Sequence, residues 1–215
     1  MNQHSLNKQV LDTALAMIAQ GLNRGSAGNV SVRYQKDKRD GFIISPTGMD
    51  YESCTPDDMV FVDMDGIVKG SRKPSSEWPF HRDIYQHFAN AGAVVHAHPP
   101  FATSLACLQI EIPPFHYMIA RFGGNTIRCA NYETFGTQAL SDSIIAALQC
   151  RCACLIANHG MVVYGDDLDH ALKLAIELET LCEQYWRVLQ IGEPKLLSDE
   201  EMARVLEKFG SYGRQ

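Results

Sequence analysis

At 215 residues the chain is long enough for one domain with a substantial buried core. Its composition, 46% hydrophobic and 20% charged, is that of an ordinary soluble globule. The formal net charge of -6, with no basic cluster denser than Lys36 to Arg39, argues against a nucleic-acid surface, and no apolar run approaches membrane-spanning length.

Met1-Asn2-Gln3-His4-Ser5 leads straight into a helix, with no signal peptide before it. Leu6, Val10, Leu11, Ala14, Leu15 and Ile18 form that helix's apolar stripe, and Gly21 stops it. Strand-like segments follow at Asn29 to Tyr34, Phe42 to Ser45 and Met59 to Asp63. A helix opens near Ser76 and runs through Phe88, Pro79 being tolerated in its first turn. Ala93 to His98 reads as a buried strand and Gln138 to Leu148 as a helix. Ala153 to Ala157 and Met161 to Tyr164 read as strands on either side of an Asn158-His159-Gly160 turn. From Leu168 to Leu189, the residues Leu172, Ala175, Leu178, Leu181, Cys182, Tyr185 and Leu189 share one side of a core-facing helix. The tail holds a capping box, Ser198-Asp199-Glu200-Glu201, and a short helix ending in Phe209-Gly210-Ser211-Tyr212-Gly213. No linker divides this succession and no repeat is visible. A single domain over residues 1–215 is expected, a sheet covered by helices whose strand polarity the pattern leaves open.

Seven cysteines, an odd number with no leader before them, point to a reduced, cytoplasmic protein. Cys150, Cys152 and Cys154 alternate, so on a strand all three share a face, where free cysteine behaves as a small hydrophobe.

Chemistry concentrates in three histidines and one glutamate. His96-Ala97-His98 on a strand puts two imidazoles on one face together with Val94, leaving Val95 and Ala97 for the other. His159, closing the apolar run Cys154-Leu155-Ile156-Ala157, can complete a tris-imidazole site, and three protein ligands with one replaceable position is the pattern of catalytic zinc. Glu77, in Pro74-Ser75-Ser76-Glu77-Trp78, is then either a fourth ligand or a base beside the metal.

Two glycine-bearing segments, Gly25-Ser26-Ala27-Gly28-Asn29 and Ser45-Pro46-Thr47-Gly48, are suited to an anion, because glycine lets backbone N–H groups approach closely. Ser75 and Ser76 add donors at a helix start. Neither nucleotide-binding glycine pattern is present. The adjacency of Ser75-Ser76 to Glu77 would bring a phosphorylated substrate's next carbons near the metal.

These motifs in order, with His116-Tyr117-Met118-Ile119-Ala120 between them, resemble the class II aldolase/adducin family over nearly the whole chain. The likeness is strongest to members acting on L-fuculose 1-phosphate. The resemblance implies a three-layer α/β/α fold with a mostly antiparallel central sheet, and a homotetramer with active sites between subunits. It implies one zinc per subunit, or another divalent ion, on His96, His98 and His159 with Glu77 as the displaceable ligand. Dihydroxyacetone phosphate would be held through Asn29, Thr47, Gly48, Ser75 and Ser76, with Gly28 shaping its loop, and Tyr117 of a neighbouring subunit would donate a proton.

The implied reaction is cleavage of a small sugar phosphate, a ketose 1-phosphate, with L-fuculose, 5-deoxyribulose and 5-methylthioribulose 1-phosphates as candidates. An epimerase for a pentulose 5-phosphate and a non-catalytic adducin-like module are the alternatives within the family. Arg121-Phe122 and Pro99-Pro100 depart from the fuculose pattern. Arg121, Phe122, Phe135 and Tyr212 are expected on the aldehyde side, where apolar surface suits a deoxy or methylthio terminus and leads to breadth of substrate.

Overall fold

A computed structural model describes residues 2–36 and 39–211. Strands β1 (Asn29–Lys36), β2 (Arg39–Ile44), β3 (Val60–Asp63), β4 (Val68–Lys69), β5 (Ala93–Ala97), β6 (Cys129–Ala130), β7 (Ala153–Ile156) and β8 (Gly160–Gly165) form one sheet in the order β4-β3-β2-β1-β5-β8-β7-β6. Every neighbouring pair is antiparallel except β6 with β7. The helices are α1 (Gln3–Ala19), α2 (Trp78–His87), α3 (Pro100–Cys107), α4 (Gln138–Ala147), α5 (Leu168–Ile191) and α6 (Asp199–Ser211).

Strand periodicity sorts these helices into two layers. Val30 and Val32 of β1 and Val95 and Ala97 of β5 join residues of α1, α3, α5 and α6 in one core. Val94 of β5, with Phe42 and Ile44 of β2, packs on the other face against Phe80 and Ile84 of α2 and Leu140 and Ile144 of α4. The result is the expected three-layer α/β/α arrangement around a mostly antiparallel sheet. Among the described residues, no helix is long and apolar enough to cross a membrane.

Register places the chemistry. Asn29 stands opposite His96 on the neighbouring strand, and His96 stands opposite Val162 on the other side. The face of β1 that carries Asn29 and Ser31 is therefore the face covered by α2, whose first residue follows Glu77.

Several elements were not legible in the local pattern. Helix α3 was not among the expected elements, and it opens at Pro100, within the Pro99-Pro100 pair. That helix start is satisfied from a distance: Glu179 of α5 accepts from the Phe101 and Ala102 backbone N–H groups at 2.9 and 2.8 Å. Strands β4 and β6 are two residues each and exist only through their partners. The alternating cysteines do not share a strand face as expected. Cys150 lies before β7 in a left-handed turn (φ 61°) and is exposed, Cys152 is half-buried, and only Cys154 is within the strand and buried. On α5, Leu172 is only partly buried at the edge of the core and Leu189 is 39% exposed.

A short turn ties α1 to the rest. Asn7 donates to the Pro56 carbonyl at 2.8 Å, and the turn is closed by Asp58, which accepts from the Thr55 backbone N–H and hydroxyl, both at 2.8 Å, and from Arg72 at 2.7 Å. The Thr55 N–H, then Arg72 and the Thr55 hydroxyl hold the Asp58 carboxyl down at about 2. A pKa depressed in the folded state stabilises above the ordinary aspartate value, near 4, and the effect fades as pH falls from about 4 to about 2. Asp58→Asn is expected to cost about 1–2 kcal/mol in urea unfolding at pH 7, with the gap to wild type closing as the measurement moves toward pH 2.

Candidate active site

Four chain segments converge at the carboxyl end of β5. The strand presents His96, fully buried, on the α2 side, and His98 follows one step beyond the strand end on that side. His159 comes from the tight β7–β8 turn, in which Asn158 adopts φ 53° and the His159 N–H bonds the Ile156 carbonyl at 3.0 Å. Gly160 must be glycine here, since a Cβ would lie 2.4 Å from the Ala97 carbonyl oxygen and 2.8 Å from the His98 ring. Glu77 enters from the N-cap of α2.

The four side chains form one cluster whose candidate ligand atoms all lie within 4.8 Å of one another. Glu77 Oε2 is 3.1 Å from His96 Nε2, Glu77 Oε1 is 3.2 Å from His159 Nε2, and His98 Nε2 is 2.8 Å from His96 Nε2. The three rings meet edge to face with centroids 4.7 to 4.9 Å apart. His96 Nδ1 donates to the Met161 carbonyl at 2.9 Å, so Nε2 is the ring nitrogen that faces the cluster.

This donor set fits a divalent cation. His96 Nε2 and Glu77 Oε2 face each other at 3.1 Å, a contact that attracts with a proton on the ring or with a metal cation between them. Glu77 Oε1 is buried and has no hydrogen bond of acceptable geometry among the described residues, although His159 lies close. Three imidazoles and a carboxylate match the preference of zinc and its neighbours for nitrogen and oxygen ligands. Electrostatics agree. Burial alone would raise the Glu77 pKa, but the adjacent His96 and His159 outweigh it and hold the carboxyl well below the usual range. Burial first, then His96 and His159, pushes His98 down to about 3, so it stays neutral, the form that ligates metal.

The anion-binding expectations come together around the same point. Gly28, Asn29, Thr47, Gly48, Ser75 and Ser76 line a cavity of about 390 Å³ with Glu77, His98 and His159. The two loops are laced by backbone bonds, Thr47 N–H to Lys73 O at 3.1 Å and Ser75 N–H to Ser45 O at 3.0 Å, with Pro46 and Pro74 paired between them. Gly28 has φ 70° and sits so close to Asn23 and to the His96 carbonyl oxygen that a Cβ would be 2.4 Å from the former and 2.6 Å from the latter. Asn29 has a task besides the one expected. Its amide nitrogen donates to Ser75 Oγ at 3.0 Å and to Glu77 Oε2 at 2.9 Å.

The aldehyde-side expectations fare differently. Phe135 lines the cavity, joined by Tyr132 and Glu133, which the sequence reading missed. Phe122 does not belong there: it is fully buried in the core beneath α5, because its 3-10 turn (Tyr117–Phe122) packs inward. Tyr117 and Arg121 line a separate groove beside α6, and Arg121 pairs with Glu177 at 3.4 Å. Tyr212 lies outside the described residues. His81, Ser31 and Tyr85, buried behind Glu77, were also missed; the signal was present for His81, four residues after Glu77 and so on the same side of α2.

The model of the class II aldolase and adducin N-terminal domain matches residues 8–186, a span holding every residue of the cluster. This chain belongs to the class II aldolase and adducin family. It is 52% identical to the 5-methylthioribulose-1-phosphate/5-deoxyribulose-1-phosphate aldolase of Rhodospirillum rubrum over 209 residues, 97% of this chain and 93% of that one. It is 48% identical to the L-fuculose phosphate aldolase of Escherichia coli strain K12 over 214 residues, 99% of this chain and 98% of that one. A solved structure of an L-fuculose 1-phosphate aldolase superposes with a TM-score of 0.91 at 36% identity, covering 96% of each chain. Aldolases are lyases, and this chain is an enzyme of that class.

Titrating metal-free protein with Zn²⁺ in a calorimeter is expected to give one site per chain. His159→Ala should weaken that site by at least about tenfold, since it removes a ligand outright. Zinc at 100 times the dissociation constant should add about 2.7 kcal/mol to wild-type stability in the same protein.

Proposed function

We propose that the chain is a metal-dependent aldolase that cleaves a ketose 1-phosphate into dihydroxyacetone phosphate and an aldehyde. The observation that carries this reading is the position of Glu77, which touches the histidine cluster and directly follows the cavity's serine donors. L-Fuculose 1-phosphate and the 5-deoxy- and 5-methylthioribulose 1-phosphates are the substrates, as the names of the relatives support.

His96, His98 and His159 would hold one zinc or similar ion per subunit, with Glu77 as the fourth, displaceable ligand. Such an ion, when bound, acts as a Lewis acid that stabilises the negative charge left on the ketone side when the carbon–carbon bond breaks. Ser75, Ser76, Thr47 and the backbone at Gly48 fix the phosphate, and Gly28 keeps the loop close enough to His96 for the substrate's first carbons to reach Glu77. Glu77, an ionised carboxylate with one oxygen lacking a hydrogen bond, is the group that moves the substrate's proton.

Proton exchange at the aldehyde oxygen falls to Tyr117. Its ring is 50% exposed and stands in a groove apart from the cavity, which supports a homotetramer in which a neighbouring subunit supplies it. Arg121 in the same groove would reach the aldehyde side by the same route. The seven free thiols accord with a cytoplasmic protein. An adducin-like scaffold without activity is set aside, because a scaffold gains nothing from an assembled metal cluster.

Glu77→Gln is expected to fold normally and lose about 10²- to 10⁴-fold in kcat, read as triose phosphate released in a coupled assay. Full activity in that variant, or in protein stripped of metal, would overturn the reading, and a pentulose product without triose phosphate would identify an epimerase instead. The apolar surfaces of Phe135 and Tyr132 at the cavity mouth discriminate weakly between methyl and methylthio termini. The three candidate substrates should therefore fall within roughly 200-fold of one another in kcat/KM.

A further inference from the structure

Behind Glu77 a line of polar side chains runs through an otherwise apolar layer. Asn29, Ser31, His81 and Tyr85 are all buried, and Ser31 and His81 have no exposure at all. Phe80, Phe42 and Val94 pack around them on the α2 face of the sheet. Buried polar groups persist in such a setting only when each finds a partner, and here each does. Glu77 Oε2 contacts the Asn29 amide nitrogen at 2.9 Å, Asn29 Oδ1 contacts His81 Nε2 at 2.5 Å, His81 Nδ1 contacts Ser31 Oγ at 2.7 Å, and Ser31 Oγ contacts Tyr85 Oη at 2.7 Å.

The proton on every link is fixed by elimination. A carboxylate offers only acceptors, so the Asn29 NH₂ must face Glu77 and its carbonyl must face His81. A carbonyl oxygen also only accepts, so His81 must carry its proton on Nε2, which leaves Nδ1 bare. Ser31 then donates to Nδ1, and its oxygen accepts from Tyr85. The chain has one direction, from Tyr85 through Ser31, His81 and Asn29 to Glu77.

We propose that His81 is a positioning residue: as a neutral Nε2–H imidazole it locks the Asn29 side chain in the one orientation that donates to both Glu77 and Ser75. With His81 in place, an amide flip would set the Asn29 oxygen against the carboxylate and its NH₂ against an N–H. Asn29 thus couples the proton-moving carboxylate to the phosphate-side serine, and His81 holds it in the orientation that the carboxylate selects. The proposal rests on Glu77 being the proton-moving group, and turnover of Glu77→Gln tests that reading separately.

Two measurements test the relay. Nitrogen-15 NMR of metal-free wild-type protein should find His81 as the Nε2–H tautomer, and an Nδ1–H tautomer would overturn the proposal whatever the enzyme's activity. In the metal-loaded enzyme, His81→Phe keeps a ring against Phe80 but removes the donor, and should lower kcat about 10- to 100-fold while KM moves much less. His81→Gln, whose amide N–H can reach Asn29, should recover most of that loss. A folded His81→Phe with wild-type kcat, or kcat and KM worsening together without recovery in His81→Gln, would assign His81 to packing alone.

Discussion

One buried carboxylate organises this molecule. Glu77 is ionised, nearly enclosed, and within 3.2 Å of two imidazoles. An unpaired charge at such a depth would cost several kcal/mol, so the surrounding structure has to supply its counterparts. His96 and His159 supply positive potential on one side, and the Asn29 amide supplies a hydrogen bond on the other. Those partners come from β5, the β7–β8 turn and β1, which are separated by many residues and meet only because the sheet places them side by side.

The sheet order makes that meeting unavoidable. With β5 between β1 and β8, and β7 beyond β8, the end of β5 faces the start of β1 and the β7–β8 turn together. A slip of one residue in the β1–β5 register would turn Asn29 and Ser31 into the α1–α3–α5 core and place valines beside Glu77. The site is thus secured by the same alternation that separates the two cores. Close backbone approaches tighten it further: Gly28 against the His96 carbonyl and Gly160 against Ala97 and His98 leave no room for a side chain at either position.

The serine-lined part of the cavity and the histidine cluster are linked through α2. The helix begins at Trp78, one residue after Glu77, so the serines that line the cavity and the carboxylate beside the histidines belong to a single helix entry. The wall carrying Tyr132, Glu133 and Phe135 comes from the segment after β6 and is exposed, which leaves that wall of the cavity open to variation without disturbing the buried cluster.

Much of this was legible in the amino-acid order alone. Period-two alternation placed His96 and His98 with Val94 and apart from Val95 and Ala97, and the structure divides its two cores along that line. Helical spacing located α1, α4 and α5, while glycine and serine at loop positions marked the segments that line the cavity. Such features follow from local geometry, which sequence spacing encodes directly. What only the tertiary structure decided depends on partners distant in the chain. The start of α3 is satisfied by Glu179, 77 and 78 residues away, the two-residue strands exist through their neighbours, and Phe122 is turned into the core rather than the site. The buried line from Tyr85 to Glu77 is of the same kind. Hydrogen bonds between β1 and α2 with its N-cap Glu77 span some 48 to 54 positions, and no pattern within either segment announces the other, because the pairing is made by sheet register and helix packing.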